Sequence, residues 1–341
     1  MIKYLIPFLT SFMLTVILII VGIYVGKKIK WQERNSSRHI HRKGALRIAG
    51  IAMVIAFNAA ILMNPDLVIT PQLYGFMGAS IILMIIGIWD DFREIFWKMQ
   101  FFYQVAVVLL VFIFGVRIYY VTNPLTGGIL HLNAGLWVVL SIALVLFWVI
   151  VLINSMNWID GIDGLSGGVT LIGALTIFVL SLKPEVDQPA MAILALILAG
   201  TALGFLIFNF NPSLVLAGTA GSNFMGFALA VLAIFAGTKI ATSLLVMSIP
   251  LIDFLWVIGE RLRNKKSIFK PDRNHLHYKL LSLGWSQRKT AVHFYAVTIL
   301  ISVTALNTRA IGKSITLAIA GIVMVAAFLM IRNKISKADP A

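Results

Sequence analysis

Apolar residues in this chain come in long unbroken runs. Runs of bilayer length, about 17–25 residues with ragged ends, fall at 4–25, 46–63, 73–89, 101–121, 136–152, 165–182, 189–208, 223–237, 239–258, 291–306 and 314–331. Eleven membrane spans are therefore predicted, the eighth and ninth short or closely joined. The runs are too long for barrel strands and lack a two-residue alternation, so helices are left as the structure that satisfies the backbone in lipid. The predicted fold class is an all-α polytopic integral membrane protein. A single domain over 1–341 is expected, with polar loops at 26–45, 90–100, 153–164, 209–222 and 259–290.

Composition agrees with a chain whose main solvent is lipid. Of its 341 residues 60% are hydrophobic and 12% charged, against ~25% charged in soluble domains. The first span is expected to remain as an anchor. No small-residue cleavage site follows it, and Lys27, Lys28 and Lys30 come after the apolar run instead of before it.

Charge sets the expected orientation. Alternate loops hold 22 of the 28 Lys and Arg residues: eight in 26–47, two in 90–100, nine in 259–290 and three in 332–341. By the positive-inside rule that side is cytoplasmic, with the N-terminus outside, the C-terminus inside and the plasma membrane as the location. The net charge of +15 reads as this bias plus attraction to anionic headgroups. No basic stripe with interleaved aromatics points to nucleic acid. The chain has no cysteine, which excludes disulfides and thiol catalysis.

The polar motifs gather on the same predicted side. Asp90 and Asp91 close the third run in GIWDD; NSMNWIDGIDG at 154–164 follows the fifth; AGTAGS at 217–222 follows the seventh; PDRNHLH at 271–277 lies in the longest basic loop. Asn154, Asn157, Asp160 and Asp163 are three apart, the spacing of one helical face. Asp160 or Asp163 could instead cap the sixth span, and Asp253 could pack against a neighbouring span or border a substrate groove. Carboxylates crowded at a membrane edge are costly unless a cation or proton is present. Mg²⁺, with Mn²⁺ as an alternative, takes oxygen ligands from one or two carboxylates and from substrate phosphates. Gly218, Gly221 and Ser222 open a helix whose N–H groups form an anion site, and Arg273 supplies a cation. Phosphoryl transfer on a diphosphate substrate at the membrane surface is the implied chemistry.

These motifs resemble the polyprenyl-phosphate N-acetylhexosamine-1-phosphate transferases over about residues 38–290. HRKGALRIAG, with His41, Arg47 and Gly50, resembles the family's first cytoplasmic loop and IGIWDD its aspartate pair. NSMNWIDGIDGLSGG is similar to its most diagnostic string, FNFNPSLVLAGTAGSNFMGF to its glycine turn and PDRNHLHYKLLSLGWSQR to its histidine loop. The resemblance implies a UDP-sugar donor, a polyprenyl phosphate acceptor and Mg²⁺. It assigns the proton of the lipid phosphate to Asp90, the metal to Asp91 and Asp160, the nucleotide to Asn157 and Asp163, and the sugar diphosphate to Arg273, His275 and His277. Asn154, His41, Arg47, Gly218, Gly221 and Ser222 join the substrate-binding set.

The form of the histidine loop, Asp272-Arg273 then His275 and His277, resembles the branch that uses UDP-GlcNAc and undecaprenyl phosphate to begin a cell-envelope polysaccharide. The branch using UDP-MurNAc-pentapeptide has adjacent histidines. Three positions depart from the family pattern. Thr219 stands where an aspartate is usual and would be a weaker metal ligand; Tyr278 replaces a further histidine; Gln100 stands where a second lysine is common. The alternatives are the same reaction with another UDP-N-acetylhexosamine or with UDP-MurNAc-pentapeptide, an inactive relative because of Thr219, or a transporter. No inverted repeat supports the last. A homodimer is a further expectation.

Overall fold

The computed structural model describes residues 2–28, 45–123, 126, 128–236, 240–268, 273–308 and 310–338. Of the predicted residues, His41 and Asp272 lie outside the described set. The helices are α1 (Ile2–Lys28), α2 (Ala49–Met63), α3 (Pro71–Phe92), α4 (Trp97–Ile113), α5 (Trp137–Ile159), α6 (Leu165–Ser181), α7 (Pro189–Asn209), α8 (Gly218–Phe235), α9 (Ile240–Val246), α10 (Ser248–Arg263), α11 (Leu276–Ser282), α12 (Gln287–Asn307) and α13 (Ala310–Ala338). Among the described residues seven helices are long and apolar enough to cross a membrane, and α2, α4 and α6 are shorter apolar helices. The chain is a polytopic helical membrane protein.

Two apolar runs fold otherwise than as single spans. The ninth divides into α9 and α10 around Met247. Pro250, in the first turn of α10, has no N–H to give to Val246, so the α9 ladder cannot continue through it. The fourth run stops being helical at Ile113. There Gly115 adopts φ +98°, and Arg117 Nε donates to the Phe112 carbonyl at 3.2 Å, a cation at a helix C-terminus. The chain then enters strand β1 (Tyr120–Thr122), which pairs antiparallel with β2 (Ile129–His131), Val121 opposite Leu130.

Helix α8 is the hub. Every residue from Ala220 to Ile234 is buried, and α8 packs on α2, α3, α5 and α6. A helix apolar on all sides is one surrounded by protein. Phe57 of α2 meets Phe224 of α8 and Phe76 of α3 edge-on, each with ring centroids 5.3 Å apart, a favoured aromatic geometry. In contrast, α13 keeps Ile311, Ile315, Ile319 and Ile322 exposed, as expected of a lipid-facing helix.

One short pairing places the start of α8. Leu46 bridges Val215 in parallel; Leu216 N donates to the Leu46 carbonyl at 2.8 Å and Ala49 N to the Leu216 carbonyl at 3.3 Å. The strand-like segment before α2 is thereby laid along the segment before α8. A Cβ on Gly50 would overlap Gly221 N, and one on Gly87 would overlap Ala220. Small residues on α2 and α3 thus let both backbones close on the first turn of α8.

Candidate active site

The first turn of α8 meets the last turn of α3. Thr219 N donates to Asp91 Oδ1 at 3.1 Å, and Thr219 Oγ1 donates to Asp90 Oδ2 at 2.7 Å. Arg47, carried in by the pairing at Leu46, forms an ion pair with Asp91 at 3.0 Å. Asp90 Oδ1 accepts from Ile95 N at 2.8 Å and from Gln100 Nε2 at 3.2 Å. Gly218 has φ +64°, and a Cβ there would run into the Asp91 carboxylate. Glycine is needed both for the backbone conformation and for the approach of the acid. The anion site at this helix start is filled by the chain's own carboxylate, as helix N-termini favour.

Asn157 joins this cluster to the next. On α5, five residues past the fifth apolar run, its Nδ2 donates to Ser222 Oγ at 2.8 Å, and Ser222 Oγ in turn donates to the Gly218 carbonyl at 2.9 Å. The fifth run is helical beyond the predicted limit of 152 and ends at Ile159 with Asp160 as its C-cap. The one-face reading therefore holds for Asn154 and Asn157 only. Asn154 turns to α4, donating to Gln104 Oε1 at 2.8 Å.

Neither acid of the loop caps α6 by its side chain, whose N-cap is Gly164. Asp160 Oδ1 accepts from Ser166 Oγ. Asp163 is buried, and its Oδ2 accepts from Asn211 Nδ2 at 2.9 Å and Ser213 N at 3.0 Å, while its own N–H donates to Gln287 Oε1 at 2.9 Å. Asp163 fastens this loop to the α7–α8 connection and to the start of α12.

The histidine loop packs against the same turn. A Cβ on Gly161 would overlap Tyr278 Oη and come within 2.7 Å of His277 Nε2. Both histidines are buried, with parallel rings 5.6 Å apart. Trp158 of α5 stands edge-on to His275 at 5.2 Å, and Arg261 lies 4.8 Å over the Trp158 ring. Asp253 fixes the loop: its carboxylate meets His275 Nδ1 at 2.7 Å and accepts from Leu276 N at 2.8 Å. Asp253 is therefore an anchor for the start of α11, and its partner is a loop, not a neighbouring span. Arg273 is exposed, two residues before His275.

A contiguous path thus runs from Arg47 through Asp91, Thr219 and Asp90 to Ser222, Asn157, the Asp160 turn, and the paired histidines. Gln100, Ser166, Asn211, Ser213 and Gln287 were not predicted to touch the site acids. Ser166, Asn211, Ser213 and Gln287 lie within the motif strings quoted above and Gln100 at a departure from the pattern, so the sequence marked their segments without giving them these contacts. Among the described residues no three His, Asp or Glu side chains group closely enough to hold a metal by themselves. Asp91 and Thr219, with Asp160 on the turn reached through Ser222 and Asn157, nevertheless supply carboxylate and hydroxyl oxygens, the hard donors that Mg²⁺ completes with water and phosphate. The residues fit such an ion.

Carboxylates, hydroxyls and histidines converge at one end of this helical membrane bundle, and the similarities of the chain indicate a phosphosugar transferase. Residues 73–237 match the glycosyl transferase family 4 model. The chain is similar to a Bacillus subtilis protein named "Probable undecaprenyl-phosphate N-acetylglucosaminyl 1-phosphate transferase", 28% identical over 312 residues, 90% of this chain and 85% of that one. A Mycobacterium leprae "Decaprenyl-phosphate N-acetylglucosaminephosphotransferase" is 28% identical over 302 residues, 80% and 75% of the two chains. A Moorella thermoacetica "Phospho-N-acetylmuramoyl-pentapeptide-transferase" is 33% identical over 186 residues, 54% and 55%.

Proposed function

We propose that this enzyme transfers GlcNAc-1-phosphate from UDP-GlcNAc to undecaprenyl phosphate, releasing UMP and beginning a cell-envelope polysaccharide. The observation that carries the reading is Thr219 bonded to both Asp90 and Asp91 at a helix start that Ser222 and Asn157 link to the Asp160 turn. Two features favour GlcNAc as the sugar. The histidine loop has His275 and His277 separated by Leu276, and the Bacillus subtilis relative, matched over most of both chains, carries that sugar in its name.

In the proposed reaction an oxygen of the lipid phosphate attacks the β-phosphorus of the donor in line. The new P–O bond forms as the bond to UMP breaks, and UMP leaves with its phosphate oxygen. Asp90 takes the proton of the lipid phosphate when one is present; a monoester with its second pKa near ~6 is largely dianionic at neutral pH, so this step contributes modestly. Arg47 offsets the charge of Asp91 and holds it against the α8 start. Asn157 and Asp163 serve the nucleotide, and His275, His277 and Arg273 the sugar diphosphate. Asp91, Asp160 and Thr219 are the residues that would hold Mg²⁺. When bound, the ion supplies charge stabilisation for the departing diphosphate oxygen.

The eleven apolar runs are read as spans, with the site on the cytoplasmic side of the plasma membrane and the N-terminus outside. The isoprenoid tail stays in lipid while its phosphate reaches the acids through a lateral opening. Purified protein given undecaprenyl phosphate and Mg²⁺ should release UMP from UDP-GlcNAc. Release from UDP-MurNAc-pentapeptide instead would move the chain to the other branch.

A further inference from the structure

Asp90 and Asp91 are neighbours in sequence but are held differently. Asp91 is paired with a cation, Arg47, at 3.0 Å. Every hydrogen-bond partner found for Asp90 among the described residues is neutral: Ile95 N and Gln100 Nε2 at Oδ1, Thr219 Oγ1 at Oδ2. Neutral donors fix the direction of a carboxylate without cancelling its charge. A group that must accept a proton benefits from that combination, since donors without charge orient the carboxylate and leave its negative charge in place.

Gln100 stands out among these donors. Its Nε2 also donates to the Ile95 carbonyl at 3.1 Å, while the Ile95 N–H is bonded to the same Asp90 oxygen. One side-chain amide thus closes the turn between α3 and α4 around the carboxylate. Gln100 is half-buried in the first turn of α4, and the Asp90 side chain it meets is fixed on its far oxygen by a different helix. With donors on opposite oxygens from two helices, the carboxylate plane is set and not merely its position.

We infer that Gln100 is a positioning residue for the transfer reaction, acting through its side-chain donor to hold Asp90 in the reacting orientation. The inference rests on the transferase reading above. Reacting groups displaced by about 1 Å can lose up to ~10²-fold in rate, so loss of one of three restraints should be visible in turnover without preventing substrate binding.

The test compares Gln100→Leu, Gln100→Glu and Gln100→Lys in the full-length protein in nanodiscs, reading kcat, KM for UDP-GlcNAc and the thermal unfolding midpoint. Gln100→Leu should lower kcat about tenfold with KM within about twofold and the midpoint unchanged. Gln100→Glu, which sets a like charge against Asp90, should lose more. Gln100→Lys keeps a donor and should stay within about threefold of wild type. Wild-type kcat in the Leu and Glu variants, or losses that simply follow the midpoint in all three, would overturn the role. If wild-type protein itself releases no UMP from any donor, the transferase reading fails and this inference falls with it. An active wild type with indifferent variants sinks only the inference.

Discussion

Thr219 Oγ1 donates to Asp90 Oδ2 at 2.7 Å, so the residue that replaces an expected acid has become a hydrogen-bond donor to one. A carboxylate at this position could not donate and would repel Asp90 unless a cation lay between them. Thr219→Ser keeps the hydroxyl and should keep activity within about threefold, whereas Thr219→Val should lose about tenfold, a donor aimed at a charged group being worth ~1.5–3 kcal/mol. Thr219→Asp should lose turnover at low Mg²⁺ and recover as Mg²⁺ is raised. UMP release across a Mg²⁺ series checks all three. A silent wild type beside an active Thr219→Asp would mean that the chain is an inactive relative.

The acids proposed to act on the proton and the metal can be tested one at a time. Asp90→Asn, Asp91→Asn and Asp160→Asn preserve shape and remove charge, and each should lower kcat by at least ~10²-fold. Asp91→Asn should leave Arg47 facing a neutral amide and so also lower the unfolding midpoint, which Asp90→Asn should not. Near-normal turnover in all three variants would refute the assignments.

The eleven apolar runs were legible because lipid allows little but helix to an uninterrupted apolar segment, and helices fall on each of them. What escaped was decided by single residues within a run. Pro250 breaks the ninth, and Gly115 with Arg117 ends the fourth, where hydropathy alone registers no boundary. At the site, Asp90, Asp91 and Asn157 could be found from motif and spacing, and the structure joins them through Thr219 and Ser222. Asp163 was expected beside them by helical periodicity, but the helix ends at Ile159 and the loop turns Asp163 toward Asn211 and Ser213. The parallel pairing of Leu46 with Val215, which delivers Arg47, leaves no pattern in either segment.

Asp253 predicts a defect in the histidine loop without contact with the aspartate pair. It is 1% exposed, and it holds both His275 Nδ1 and the Leu276 N–H. Asp253→Ala leaves two buried donors facing a void, and breaking a buried pair of this kind costs about 3–5 kcal/mol. The unfolding midpoint should fall clearly, with weaker binding of UDP-GlcNAc by titration calorimetry. A variant of unchanged midpoint and affinity would show that α11 is held by other contacts.

Gly161 gives the most specific test of how the Asp160 turn meets the histidine loop. Any Cβ at 161 overlaps the Tyr278 hydroxyl and lies 2.7 Å from His277 Nε2, so Gly161→Ala must push the loop away from α5. With His277 proposed to serve the sugar diphosphate and Asp160 the metal, that separation should raise KM for UDP-GlcNAc and lower kcat, by about tenfold or more in kcat/KM. Tyr278→Phe removes the hydroxyl that the methyl strikes first. Alone it should be mild, and combined with Gly161→Ala it should recover part of the lost kcat/KM, a non-additivity expected only of residues in contact. Strictly additive losses in the double variant would mean that the two segments do not touch during turnover.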